Sequence, residues 1–169
     1  MKKILTFFIA LLFVGIIYLQ ITGSELQEIK TEIEISAPPT KVWSIISDIE
    51  SWQEWSPTIN ASRGVASVGS QLSITMMSEE AGKDGPNYKP TIIELAEPNY
   101  FHWRAHMLAE FLFTNEKIIK LEEIDSGTRL THTETFKGLL TPLFRGKMEK
   151  GVSPMLKLMN KALKELAEK

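Results

Sequence analysis

Three residues toward the C-terminal end of the chain have the types and spacing to do chemistry together. In residues 128–136 a strand's alternation puts Leu130, His132, Glu134 and Phe136 on one face and Thr131, Thr133 and Thr135 on the other. Threonines suit solvent, and leucine and phenylalanine suit a core, so His132 and Glu134 are expected to point inward. On the preceding run, 113–124, Lys117, Ile119 and Leu121 share a parity. Lys117, His132 and Glu134 are thus three polar groups in an otherwise apolar interior. A buried carboxylate needs a cation or donors, which Lys117 or His132 supplies. Three chemistries are open: a structural ion pair near the open end of a sheet, a polar cluster that orients a ligand, or acid/base catalysis by Glu134 and His132. The last requires a substrate proton within about 3 Å of a group that titrates near neutrality.

Other chemistries find no support. Cysteine is absent, which removes disulfides, thiolate nucleophiles and thiolate metal sites. His102 and His106 share a strand face but stand about 13 Å apart along it, whereas zinc needs its ligands near 2 Å. There is no Gly-x-Ser-x-Gly elbow and no glycine-rich phosphate loop. Neither a metal nor a cofactor is expected. With 19 Lys and Arg against 21 Asp and Glu and no basic stripe, a nucleic-acid partner is not expected either.

The elements that position these residues follow from periodicity. After a connector at 25–30, residues 31–36 alternate as a first strand. Pro38 and Pro39 open a helix with the stripe Val42, Trp43, Ile45, Ile46 and Ile49. A short turn holds Trp52 and Trp55. Six antiparallel strands follow at 59–65, 71–78, 89–96, 100–107, 113–124 and 128–136, with a loop at 82–87. Residues 139–169 return to helical periodicity, with Val152, Met155, Met159, Leu163 and Leu166 on one face. Gly151 and Pro154 predict a break near its start, with regular helix from Ser153.

The N-terminal segment is of another kind. Lys2 and Lys3 precede the uncharged run 4–21, and Glu25 and Glu28 follow it. About 20 apolar residues match the hydrocarbon thickness of a bilayer. The charge order places the N-terminus in the cytoplasm and the domain beyond the membrane. The expectation is a single-pass anchor over 1–24 and one domain over 25–169. The alternative is a signal peptide cleaved near residue 24, at Thr22-Gly23-Ser24, releasing a secreted or periplasmic domain.

Several motifs occur in a familiar order: Ile35-Ser-Ala-Pro-Pro-Thr-Lys-Val-Trp43, then 48–52 with Trp55 and Pro57, then 94–98 with Phe101 and Trp103. Gly127-Thr-Arg-Leu-Thr-His-Thr-Glu134, Phe136-Lys-Gly-Leu-Leu140 and the amphipathic terminal helix complete the set. Over about residues 29–168 the chain resembles the SRPBCC superfamily of START-like, polyketide cyclase/dehydrase-like and lipid-transfer proteins. The resemblance implies an α+β helix-grip fold, a curved antiparallel sheet wrapped around a long C-terminal helix. It also implies a deep cavity between the two, used across the superfamily for lipids, sterols, plant hormones, polyketides or aromatic substrates. Lys117 stands where many relatives carry an inward histidine.

The expected cavity wall comprises Trp103, Lys117, Ile119, His132, Glu134 and Phe136, with Met155 and Met159 from the helix. Trp43 belongs to the core. Trp52 and Trp55 lie near the entrance, as packing or as ligand or membrane contacts. The leading expectation is a membrane-tethered binding or carrier domain for a small hydrophobic ligand, with membrane contact through residues 4–21. The alternatives are a cyclase- or dehydratase-like enzyme using Glu134 and His132, and a structural module whose cavity is closed.

Overall fold

The alternating runs become strands because each finds an antiparallel neighbour. A computed structural model describes residues 26–78, 80 and 83–169, with residues 4, 7, 9, 13–18 and 21 of the leader. The strands are β1 (Gln27–Ile35), β2 (Ile59–Arg63), β3 (Ser73–Met77), β4 (Asp84–Tyr88), β5 (Thr91–Ala96), β6 (Tyr100–His106), β7 (Thr114–Ile124) and β8 (Gly127–Lys137). The helices are α1 (Pro39–Ser47), α2 (Trp52–Trp55) and α3 (Thr141–Ala167). This is the expected α+β arrangement of curved antiparallel sheet and long C-terminal helix. Five strands pair in the order β1-β8-β7-β6-β5, and β2-β3-β4 form a separate sheet. A bridge from Gln71 to Thr91 ties the two sheets together, reinforced by backbone bonds from Leu72 to Pro90 and from Ile92 to Ser70.

Five expectations need correction. The first strand starts at Gln27, not at residue 31, because β8 is long enough to pair with it as far as Phe136. The supposed loop at 82–87 largely becomes β4, and the single meander becomes two sheets. Pro86 is tolerated there because β4 is an edge strand, where a missing N–H breaks no ladder. The break at Gly151 and Pro154 does not occur, and α3 is one helix from Thr141 to Ala167. Lys150, whose carbonyl Pro154 cannot bond, is exposed, so water can take it. Met148 before the proline and Leu156, Met159 and Leu163 after it are all buried, so one continuous face holds the helix down. That face is rotated from the expected one: Leu156, Asn160 and Ala167 are buried, whereas Val152, Met155 and Leu166 are half-buried.

The dry core fills one end of the sheet. Val42, Trp43, Ile46 and Ile49 from α1 and its exit meet Leu121, Leu130 and Leu163. The end of α3 is fixed to the first strand by Lys164 Nζ to the Glu34 carbonyl at 2.8 Å and by Glu168 Oε1 to the Ser36 N–H at 2.7 Å. Most of the leader lies outside the described residues. Among the described residues no helix is long and apolar enough to cross a membrane.

The turn between β7 and β8 depends on Gly127, at φ +132°, where a Cβ would run into the Ile35 carbonyl oxygen and lie 2.8 Å from the Ala37 nitrogen. Gly127→Ala is expected to cost more than about 2 kcal/mol, from the positive φ and the clash together. Thermal unfolding should report this as a melting temperature lower by about 4 °C or more. An unchanged midpoint would contradict the packing described for this turn.

Candidate functional site

Lys117 on β7 stands directly opposite Glu134 on β8 and directly opposite Trp103 on β6, so one rung of the sheet carries all three. The ammonium lies 2.8 Å from Glu134 Oε1, with both residues buried. It lies 2.8 Å from His132 Nε2 and 5.5 Å from the centre of the Trp103 ring. An ammonium has three donors, and these three partners match them. The other Glu134 oxygen accepts from the Asn115 amide at 3.2 Å.

The contacts of His132 settle its tautomer. Nε2 faces an ammonium, which has protons to give and no lone pair, so Nε2 is the acceptor. Nδ1 then donates to Asn160 Oδ1 at 2.8 Å on α3. The Asn160 amide donates in turn to Thr31 Oγ1 at 3.0 Å on β1, and that hydroxyl donates to the His132 carbonyl at 3.4 Å. Every bond in this chain runs in one sense. Burial, followed by the charge of Lys117, holds the imidazole well below its usual pKa, with the Asn160 bond opposing them. His132 is neutral.

The pair borders a cavity of about 860 Å³. Trp52, Ile74, Met76, Trp103, Phe113 and Phe136 contribute apolar walls, and Met148, Met155 and Met159 supply the helix side. Asn115, Lys117 and Glu134, with His106 at the end of β6, are the polar groups of its five-stranded wall, and Thr58, Asn87, Tyr88, Lys89 and Lys147 border it from other segments. Of the expected lining residues, Trp103, Lys117, Glu134, Phe136, Met155 and Met159 reach the cavity. Ile119 belongs to the dry core, and His132 lies behind Lys117 without bordering the cavity. Trp52 is fully buried and donates from Nε1 to the Ile46 carbonyl at 3.0 Å. Trp55 packs beside it, 6.3 Å between ring centres, without reaching the cavity.

Sequence reasoning missed Asn115, Asn160 and Thr31. Asn115 shares the parity of Lys117 and was within reach of the same argument. Asn160 was hidden by the misplaced helix face, whereas Thr31 lies in the expected first strand on the parity of Ile33 and Ile35 and was within reach of the same argument as Asn115. On the sheet's outer face His102 and Arg104 share a side, and both converge on Glu116, at 3.2 and 2.7 Å. Burial pushes the Glu116 carboxyl up, and the bonds and charges of Arg104, Lys137 and His102 outweigh it, so its pKa is lowered.

A family model described as polyketide cyclase / dehydrase and lipid transport matches residues 27–168. No curated protein matches the sequence. Among solved structures, a Staphylococcus aureus protein of unknown function is 14% identical, with 85% of this chain and 94% of that one aligned at a TM-score of 0.67. A Streptomyces sp. R1128 aromatase/cyclase is 15% identical over 85% and 94% of the two chains, at a TM-score of 0.69. A Nitrosomonas europaea protein is 18% identical over 82% and 95%, at 0.62. At these identities the likeness is one of fold.

The lowered pKa of His132 sets a pH dependence. Below about pH 6.5 the unfolded histidine takes up a proton that the folded one refuses, so stability falls as pH falls through and below that value. The slope contributed is about 1.4 kcal/mol per pH unit. The lowered Glu116 carboxyl acts in a separate window, near and below about pH 4.5. Melting curves between pH 7.5 and 5 should therefore slope more steeply for the parent than for His132→Gln, whatever the variant's absolute stability. Equal slopes would contradict a neutral buried imidazole.

Proposed function

The chain belongs to the polyketide cyclase / dehydrase and lipid transport family, and from that premise we propose that it binds or carries a small hydrophobic molecule in the cavity, tethered to a membrane by its leader. The observation that carries this reading is the cavity: about 860 Å³, within the range of small-molecule sites, walled mostly by apolar side chains, with Lys117 and Glu134 as one polar rung and Lys89, His106 and Lys147 elsewhere on its border. Its volume leaves the closed-cavity alternative without support. The charges of Lys117 and Glu134 cancel and His132 adds none, so the polar rung is strongly dipolar yet neutral overall. Against this rung an uncharged hydrogen-bonding group on an apolar molecule suits best, because a free charge placed there would lose its water without a partner of its own. The Trp103 indole N–H, buried without an acceptor in the protein, favours a ligand that brings an oxygen.

Trp103, Lys117, Glu134, Phe136, Met155 and Met159 contact the ligand in this reading. Ile119 and His132 act from behind them as support. Acid/base work by Glu134 and His132 fits less well. Both imidazole nitrogens are already bonded, and both carboxylate oxygens are held by Lys117 and Asn115. The aromatase/cyclase neighbour shares the fold, and a fold does not fix an activity.

The tether draws support from the leader's own surface: residues 13–18 are helical, and Phe13, Val14 and Ile17 are more than half exposed. A run of apolar side chains of this kind needs a covering that a bilayer provides. The proposed topology keeps the N-terminus in the cytoplasm and the domain outside.

Two measurements follow. Ala105, on the cavity wall, is replaced in Ala105→Trp, which fills the space with an indole. Uptake of the apolar dye N-phenyl-1-naphthylamine should fall about tenfold or more, as expected when about 1.4 kcal/mol or more of binding is lost. Undiminished uptake by a folded variant would contradict binding in this cavity. Intact-mass measurement of protein from host membranes should show residues 1–24 retained, whereas a mature N-terminus near Glu25 would remove the tether.

A further inference from the structure

One end of the domain exposes apolar side chains that the described residues leave uncovered. In the loop 107–113 between β6 and β7, Leu108 is 85% exposed and Phe111 71%, and Leu143 on the first turn of α3 is 64% exposed. Backbone bonds from Leu139 to the Phe111 carbonyl at 3.0 Å and from Leu140 to the Leu112 carbonyl at 2.9 Å clamp the two segments together. Gly138, at φ +124°, permits that approach, since a Cβ there would lie 2.6 Å from the Leu112 oxygen. Leu108 sits at φ +65°, a left-handed conformation that a leucine adopts at a cost. A leucine that is both strained and bathed in water serves neither stability nor solubility within the domain.

Three further observations single out what covers this end. Gln27 pairs with Phe136, and Thr114 with Lys137, so the leader joins the domain at the end that carries the exposed loop. Gln27 also reaches Glu149 of α3 at 3.4 Å. Charge is the second: the loop 107–113 and the stretch 137–150 together hold Lys137, Arg145, Lys147 and Lys150 against the acids Glu110 and Glu149, in a chain of net charge −2. The third is the cavity, which Met107, Phe113, Phe144 and Lys147 border from this same loop and helix start.

We propose that this end is a bilayer-docking face: Leu108, Phe111 and Leu143 enter the interface of an anionic membrane, the basic side chains meet its headgroups, and the cavity opens onto the lipid. Apolar side chains flanked by lysine and arginine are what such an interface takes up. The proposal rests on the membrane-tethered reading above and adds the orientation of the domain.

Because the chain has no cysteine, single labels can be placed without background. An environment-sensitive fluorophore on Leu108→Cys or Phe111→Cys is compared with one on Ser126→Cys, at the β7–β8 turn roughly 30 Å away along β7. The full chain is reconstituted into vesicles of phosphatidylcholine and phosphatidylglycerol that contain a nitroxide-labelled lipid. Quenching several-fold stronger at 108 and 111 than at 126, and weaker when phosphatidylglycerol is left out, is the expected result. Equal quenching at all three positions, failure of the chain to float with the vesicles, or energy transfer between labels at 111 that reports a second copy on this face would each overturn the proposal. Strong selective quenching from protein that takes up no apolar dye would sink the ligand reading and leave the docking face standing.

Discussion

An ammonium and a carboxylate held opposite each other on adjacent strands, out of water, set the terms for everything around them. Taking two such ions from solvent costs several kcal/mol each, which attraction alone offsets only when the remaining protons and lone pairs are also satisfied. Lys117 and Glu134 meet that condition through neighbours on three strands. Asn115 takes the second carboxylate oxygen, the Trp103 ring faces the ammonium, and His132 accepts another of its protons. His132 must then be neutral, with its proton on Nδ1, and that proton requires the Asn160 carbonyl oxygen on α3. Removing Lys117 or Glu134 alone would strand its partner, at a cost of about 3–5 kcal/mol.

The pair also marks a boundary. Along the inward face of β7, Leu121 and Ile119 lie in the dry core, whereas Lys117 and Asn115 border the cavity. The helix follows the same division, with Leu163 and Ala167 in the core and Val152 and Met148 on the cavity. The directed chain from Lys117 through His132 and Asn160 to Thr31 crosses the molecule at this junction. It fixes the register of helix against sheet where packing passes from filled to open. A cavity beside such a junction keeps its shape without a ligand, which lowers the ordering cost of binding one.

Strand parity made the inward trio legible, because alternation is a local property that burial of one face enforces. It placed Lys117, His132 and Glu134 correctly from residue types alone, and the terminal helix and antiparallel sheet followed from period and turn spacing. What stayed hidden depended on other parts of the chain. β4 carries Gly85, Pro86 and Asn87, which read as a turn, and becomes a strand only because β3 lies beside it. Asn160 looks like an exposed polar residue until the helix face is known to turn toward His132. Proline at 154 argues for a break by local rules, and continuous burial from Met148 to Leu163 overrides them.

The proposed function, an apolar molecule with one polar group held in the cavity, rests on the identity of that molecule. Its most direct test is chemical: protein purified from its native host without detergent exchange, extracted with organic solvent, and the extract examined by mass spectrometry against a mock purification. The expected extract holds one class of hydrophobic compound bearing a single uncharged polar group, in an amount approaching that of the protein. Repeated extracts that contain no such compound, from protein whose melting temperature no lipid or aromatic compound raises, would contradict that function.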